Sequence, residues 1–328
     1  MKTMIKWIPM FVIVILLVAC GNKDADGDQK KIQVFLDWTP NTNHTGLYVA
    51  KEKGFFADEG LDVEIMLPGE VSTEQIIATG KGDFGISFQD QVTQARAENL
   101  PIVSIAAINQ THTGGYYTPK SKGIETPKDF EGRVYGAYGS ELESASLQAV
   151  MDKEGADAGK VDMVQVGNTD YFIALERDLD FVSIFYAWTG IEGEIRGADM
   201  NFIPSTEYAE ELDTYTPIII TSDEKVEQDP ETVQAFINAV SKGYEFAIDT
   251  PEEAAEILIK AEPDLDPELV KRSQEWLSPH YQADAPQWGT QELPRWERFA
   301  NFMIENKIIE SVEIEKAFTN EFIANQAK

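Results

Sequence analysis

From Lys31 to Thr221 short strand-forming runs alternate with helical segments, and this alternation restricts the chain to a few architectures. Residues 31–36 are rich in strand formers and stop at Asp37 and Pro40. A helical stretch over 47–53 ends at Gly54, and 61–66 alternates apolar and polar residues as a half-buried strand does. Ser72-Thr73-Glu74-Gln75 has capping-box spacing and opens a helix that runs to Gly80. A strand over 84–88, a helix over 91–99 and a strand over 102–108 follow. The pattern restarts at Thr126-Pro127, with a strand over 133–137 and a second capping box at Ser140-Glu141-Leu142-Glu143. That helix carries Leu142, Ala145, Ala149 and Val150 on one face, and a strand over 161–166, a helix over 169–177 and a strand over 181–186 follow it. A strand-like run over 215–221 can return to the first unit, and from Asp229 onward the chain reads as helical, with starts near Pro230, Pro251, Pro267 and Pro294. The expectation is an α/β protein with largely parallel sheets.

The restart divides the chain into two α/β lobes. Lobe one is discontinuous, 31–113 and 220–328, and lobe two is 118–215. The crossings near Gly114-Gly115-Tyr116 and Thr214-Tyr215-Thr216 are the expected hinge, with a ligand cleft between the lobes at strand ends and helix starts. One large α/β domain with a helical cap is the alternative.

The N-terminus bears on compartment. Lys2 and Lys6 precede an apolar run over 7–19, the length of a signal-peptide core and short for a membrane span. The run ends Leu17-Val18-Ala19-Cys20-Gly21, which resembles the bacterial lipobox, where the signal is cut before a Cys that then carries lipid. Residues 1–19 are therefore expected to be a signal peptide and 20–30 a polar tether, which anchors the chain to the outer face of the cell membrane through Cys20. Cys20 is the only cysteine, so no disulfide staples the fold and a hydrophobic core must hold it. With 27 Lys+Arg against 57 Asp+Glu the net charge is -30, the wrong sign for nucleic-acid binding.

Four blocks resemble, in order, a family of solute-binding proteins whose members bind nitrate, alkanesulfonates and thiamine-pyrimidine precursors. They are 37–50, beginning Asp37-Trp38-Thr39-Pro40-Asn41-Thr42-Asn43-His44-Thr45-Gly46; 54–63, beginning Gly54-Phe55-Phe56; 80–86, Gly80-Lys81-Gly82-Asp83-Phe84-Gly85-Ile86; and 296–303, beginning Trp296-Glu297-Arg298-Phe299. The first block, together with Phe185-Tyr186-Ala187-Trp188-Thr189-Gly190-Ile191-Glu192, is similar to the thiamine-pyrimidine branch, which includes formylaminopyrimidine binders. That branch often reads Gly-Trp-Glu-Gly, whereas here Ala187 precedes Trp188 and Thr189 takes the place of Glu. The resemblance implies a type II periplasmic-binding-protein-like fold. It also implies an extracytoplasmic binding component of an ABC importer, partnered by a membrane permease and its ATPase subunit, with no cofactor and no metal.

The residues speak to the ligand independently. A 4-aminopyrimidine is flat, donates from an exocyclic amine and accepts at ring nitrogens, so it calls for carboxylates, amides and stacking aromatics. An anion calls for Arg, Lys or clustered N–H groups at helix starts. The four candidate cleft segments, 32–50, 82–95, 134–152 and 181–195, contain no Lys and no Arg, but include Asp90, Tyr138 and Glu194 beside the residues chosen as contacts. Those contacts are Asp37, Trp38, Asn41, Asn43, His44, Phe88, Gln89, Tyr116, Glu141, Tyr186, Trp188 and Glu192. Each has a plainer reading. Asp37, Asn41 and Asn43 suit a turn, and His44 and Glu141 suit helix starts. Trp38, Tyr116, Tyr186 and Trp188 suit a core, Phe88 and Gln89 a strand end, and the motif leaves open whether Glu192 replaces the missing carboxylate. A sulfonate, nitrate or other heterocycle remains the alternative ligand. Some relatives are pyrimidine synthases that use iron and a Cys-rich segment. Here His44, His112 and His280 are widely separated, no HxxxH, HExxH or CxxC spacing occurs, and Gly80-Lys81-Gly82 lacks phosphate-loop spacing, all of which disfavours an enzyme.

Overall fold

The computed structural model describes residues 29–167 and 170–325. The apolar run over 7–19 and Cys20 lie outside them, as does Thr169.

The first lobe begins with β1 (Lys30–Phe35), α1 (Thr45–Glu52), α2 (Phe55–Asp58), β2 (Leu61–Met66), α3 (Thr73–Ala78), β3 (Phe84–Ser87), α4 (Gln89–Ala97) and β4 (Ile102–Ala107). The second contains β5 (Gly114–Pro119), β6 (Val134–Ala137), α5 (Glu141–Asp152), β7 (Asp162–Gln165), α6 (Tyr171–Arg177), β8 (Phe181–Phe185), α7 (Ile191–Ile195) and β9 (Met200–Pro204). The chain then returns through β10 (Ile218–Ser222) to α8 (Asp223–Gln228), α9 (Pro230–Asp249), α10 (Pro251–Ala261), α11 (Pro267–Gln282), α12 (Leu293–Glu305) and α13 (Glu321–Ala324).

Two five-stranded sheets result, ordered β2-β1-β3-β10-β4 and β7-β6-β8-β5-β9. Each is mixed rather than largely parallel: β10 runs antiparallel to both β3 and β4, and β5 antiparallel to both β8 and β9. The cause is the crossing. A strand that arrives from the other lobe enters its sheet from the opposite end, and the side-chain pattern of a strand is the same in either direction. Gly114-Gly115-Tyr116 is not hinge but the first half of β5, which leaves 108–113 as the outgoing connection. The returning strand starts at Ile218, three residues later than its apolar pattern, and Tyr215 is instead buried beneath α12, with its hydroxyl accepting from the Glu292 N–H.

Helix starts follow local chemistry. The Ser72 hydroxyl accepts from Gln75 N, and the Ser140 hydroxyl from Glu143 N. Neither capping box closes reciprocally among the described residues; Glu143, which would return the bond to Ser140 N, is engaged instead by the loop before its helix. α4 starts at Gln89, ahead of its apolar periodicity, since the extended Phe88 serves as its N-cap.

In the first lobe Phe84 stacks on Phe236 of α9, with ring centroids 3.8 Å apart. In the second Phe130 stacks on Phe181 at 4.1 Å. α12 joins the two: its Trp296 and Ala300 pack with Ile218 and Ile220, while Phe299, Phe302 and Met303 pack with Tyr116, Phe130 and Leu147. A helix assigned from sequence to one lobe therefore belongs to both cores.

Candidate functional site

A cavity of about 340 Å³ opens between the two sheets, within the usual size of small-molecule sites. The first lobe contributes Phe88, Asp90 and Gln91, the crossings His112, Thr214 and Thr216, and the second lobe Tyr116, Tyr135, Tyr138, Glu143 and Phe185. Phe88 directly follows β3 and Phe185 ends β8, and their rings lie 6.4 Å apart at 11°, so they stack across the lobe boundary. Phe299 of α12 lines the same space.

Tyr138 is held at the rim, 62% exposed, by a carboxylate clamp. Glu143 accepts from Tyr138 N (2.9 Å), Gly139 N (2.8 Å) and the buried hydroxyl of Tyr135 (2.7 Å). Gly139 is required by this turn: its φ is +92°, and a Cβ would lie 2.0 Å from Gln165 Nε2. Burial and the nearby Glu143 charge push the Tyr135 hydroxyl well above its ordinary pKa, so it stays a donor.

Asp90 sits in the first turn of α4 and accepts from the Gln91 side chain at 3.2 Å. Its carboxyl is pushed above the usual carboxylate range by burial, with Glu74 adding to the effect, while the backbone N–H groups of Asp90 and Gln91 pull in the other direction. His112 Nδ1 accepts from Gly114 N at 3.1 Å, so the neutral ring carries its proton on Nε2. Burial lowers the His112 pKa from 6.5 to about 4, against the opposing pull of Asp213 and the Gly114 bond.

The His112 shift has a measurable consequence. A folded-state pKa below the unfolded value means that the unfolded chain takes up the proton first as pH falls. The contribution of His112 is therefore complete above about pH 6.5 and is lost between there and about pH 4. Because the ring is partly exposed, the loss is on the order of 2 kcal/mol. Urea midpoints for wild type and His112→Asn are expected to diverge at pH 7 and converge towards pH 4.5; parallel pH profiles would refute the assignment.

Ten of the twelve sequence-derived residues fall into three places. Phe88 and Tyr116 line the cavity. Asp37, Asn41, Asn43 and His44 wire the loop after β1. His44 Nε2 bonds Asp37 at 2.7 Å and its Nδ1 accepts from Asn41 N, Asn41 accepts from Asn43 N, and Asn43 accepts from Asn109 of the outgoing crossing. Trp38 projects from this loop, 55% exposed, at the end of the strand beside Phe88. The third group docks the second lobe on α11. Tyr186 rests on Trp276 at 5.3 Å and donates to Glu194, Arg272 also pairs with Glu194, and Ser273 donates to Ala187 O. Trp188 packs against the first-lobe core, and Glu192 pairs with Arg196. Gln89 is wholly buried and bonds Tyr215 N, tying α4 to the return crossing, and Glu141 is exposed at the start of α5. The cavity also recruits Asp90, His112, Tyr138, Glu143 and Phe185. Asp90 and Tyr138 share strand-end segments with chosen residues and were within reach of the sequence, whereas nothing local marks His112.

Residues 41–254 match the family described as NMT1/THI5 like. A formylaminopyrimidine-binding protein of Halalkalibacterium halodurans is 27% identical, over 96% of this chain and 98% of that protein. A 4-amino-5-hydroxymethyl-2-methylpyrimidine phosphate synthase of Legionella pneumophila is 26% identical, over 90% and 93%. Among solved structures, the alkanesulfonate-binding protein SsuA of Xanthomonas axonopodis superposes with a TM-score of 0.64 at 12% identity, covering 89% of this chain and 99% of that one. The fold is the two-lobed α/β fold of periplasmic binding proteins.

Proposed function

Because the chain belongs to the NMT1/THI5 like family, we propose that it is the extracytoplasmic solute-binding component of an ABC-type importer and that it captures a thiamine-pyrimidine precursor, of formylaminopyrimidine or hydroxymethylpyrimidine type. The observation that carries this reading is the chemistry of the cavity wall. Among the described residues no Lys or Arg lines it, and carboxylates stand at both helix starts that face it. At α4 Asp90 places a carboxyl in the first turn, and before α5 Glu143 already takes Tyr138 N and Gly139 N. These are the donors an anion would need, so the wall disfavours sulfonate or nitrate. Stacking aromatics with carboxylates suit a flat, neutral or cationic amine-bearing ring.

Both lobes contribute to the wall, which supports capture by closure about the two crossings. Delivery would be to a membrane permease driven by an ATPase subunit, and the binder itself performs no covalent step. The lipobox-like sequence ending at Cys20 supports a lipid anchor on the outer face of the membrane.

Calorimetric titration of the purified protein with formylaminopyrimidine, 4-amino-5-hydroxymethyl-2-methylpyrimidine, thiamine and an alkanesulfonate tests the reading. Saturable binding of an aminopyrimidine without heat from the sulfonate is expected. Binding of the sulfonate alone would retain the transport role and sink the pyrimidine assignment.

A further inference from the structure

The cavity wall holds two carboxylates, and they are not equivalent. Both Glu143 oxygens are engaged, Oε1 by the Tyr135 hydroxyl and Oε2 by the amides of Tyr138 and Gly139. Among the described residues the side-chain hydrogen-bond partner of Asp90 is the amide of Gln91, which an incoming ligand can displace. Thr214 and Thr216, on the same wall, bond each other at 3.1 Å. His112 commits Nδ1 to Gly114 N, and no hydrogen bond of its Nε2–H occurs among the described residues. The wall thus offers one carboxyl acceptor from the first lobe and one ring N–H donor from the outgoing crossing, beside the Phe88–Phe185 stack.

In kind, this donor and acceptor are the complement of one edge of a 4-aminopyrimidine, whose exocyclic amine donates and whose adjacent ring nitrogen accepts. The 4-oxo analogue reverses both: its oxygen accepts and its ring N–H donates. We propose that Asp90 and His112 are the specificity-determining pair, Asp90 accepting from the exocyclic amine and His112 Nε2–H donating to the neighbouring ring nitrogen, so that the protein selects amino over oxo pyrimidines. The inference rests on the aminopyrimidine reading and deepens it. Selection follows because the wrong ring leaves a desolvated acceptor facing an acceptor and a donor facing a donor, the mismatch by which hydrogen-bonding sites reject analogues of equal size. Partial burial acts in the same direction: a carboxyl with reduced access to water gains more from a ligand N–H than a fully exposed one does.

The test measures affinities of 4-amino-5-hydroxymethyl-2-methylpyrimidine and its 4-oxo analogue for wild type, Asp90→Asn and His112→Asn. Each substitution keeps an acceptor oxygen for the neighbouring backbone amide, and unliganded melting curves check that each variant is folded. Wild type is expected to favour the amino ring by at least about tenfold. Asp90→Asn, whose amide can turn a donor to the oxo group, is expected to reduce that preference by about tenfold or invert it. His112→Asn, with a shorter side chain, is expected to weaken the amino ring by a similar factor and supplies the test should Asp90→Asn fail to fold. If wild type binds the amino ring and the folded variants retain its preference, the pair is wrong while the aminopyrimidine reading stands. If wild type binds neither ring, that reading falls and the pair with it.

Discussion

Gly243→Ala is expected to lower the melting temperature of the first lobe by roughly 6–10 °C. α1 and α9 cross so closely that a Cβ on Gly243 would lie 2.0 Å from the carbonyl oxygen of Gly46, and one on Gly46 would lie 2.4 Å from the ring of Tyr244. The first obstacle is backbone, so relief requires the helices to part. Tyr244 then loses its position between Gly46 and Trp288, on which it stacks at 4.5 Å, and its hydroxyl loses the Asn43 carbonyl at 2.7 Å. Overpacking a core costs about 1–3 kcal/mol, occasionally more, and a backbone obstacle belongs at the upper end. At about 2–4 °C per kcal/mol for chains somewhat shorter than this one, the stated shift follows. Scanning calorimetry reads it, with Gly69→Ala as the control, since a Cβ there meets nothing within 4 Å and the change should stay within about 0.5 kcal/mol. An unshifted transition in Gly243→Ala would mean that the helices separate without cost. The loop after β1 is bonded to Tyr244 through Asn43, so the variant is also expected to loosen that loop.

Glu143→Ala should destabilise the protein by about 2–3 kcal/mol and weaken ligand capture by about tenfold or more, as judged by urea unfolding and by titration. The substitution strands three donors. The Tyr135 hydroxyl is fully buried, so its loss dominates, although the adjacent Ser183 hydroxyl can take up part of it. Tyr138 N and Gly139 N are exposed and can turn to water, but they lose the carboxylate that fixes the turn presenting the Tyr138 ring to the cavity. Tyr135→Phe in the Glu143→Ala background removes the stranded hydroxyl and should recover part of the loss, giving a coupling of about 1 kcal/mol between the two positions. Zero coupling would show that the clamp is not what holds the turn. Glu141→Ala, two residues earlier and exposed, is expected to change stability by less than about 0.5 kcal/mol.

That pair of glutamates shows where sequence reading stops. Both belong to the capping-box pattern Ser140-Glu141-Leu142-Glu143, and the pattern correctly places a helix start. Which of the two points to the preceding loop depends on where β6 delivers Tyr135, Tyr138 and Gly139, and that is a property of the sheet. Likewise the four residues Asp37, Asn41, Asn43 and His44 are recognisable as a group from one contiguous motif, because their bonds to one another span at most seven residues. His112 carries no local signal at all: it stands in a crossing segment, and its role follows from a cavity whose other walls come from five separate parts of the chain. Gln89 looks like a strand-end contact, yet its partner is the backbone of Tyr215, 126 residues away.

The sequence by itself determined the alternation of strands and helices, the helix starts at serine caps and prolines, the two-lobed fold class and the absence of Lys and Arg from the strand-end segments. All of these depend on periodicity or on residue type within a few positions. Tertiary structure alone decided the antiparallel placement of β5 and β10, the sharing of α12 between both cores and the choice of Asp90, His112, Tyr138 and Phe185 as cavity wall. Each of these depends on which distant segments meet after the chain has crossed between lobes, and a crossing reverses strand direction and pairs surfaces without leaving any mark on local side-chain order.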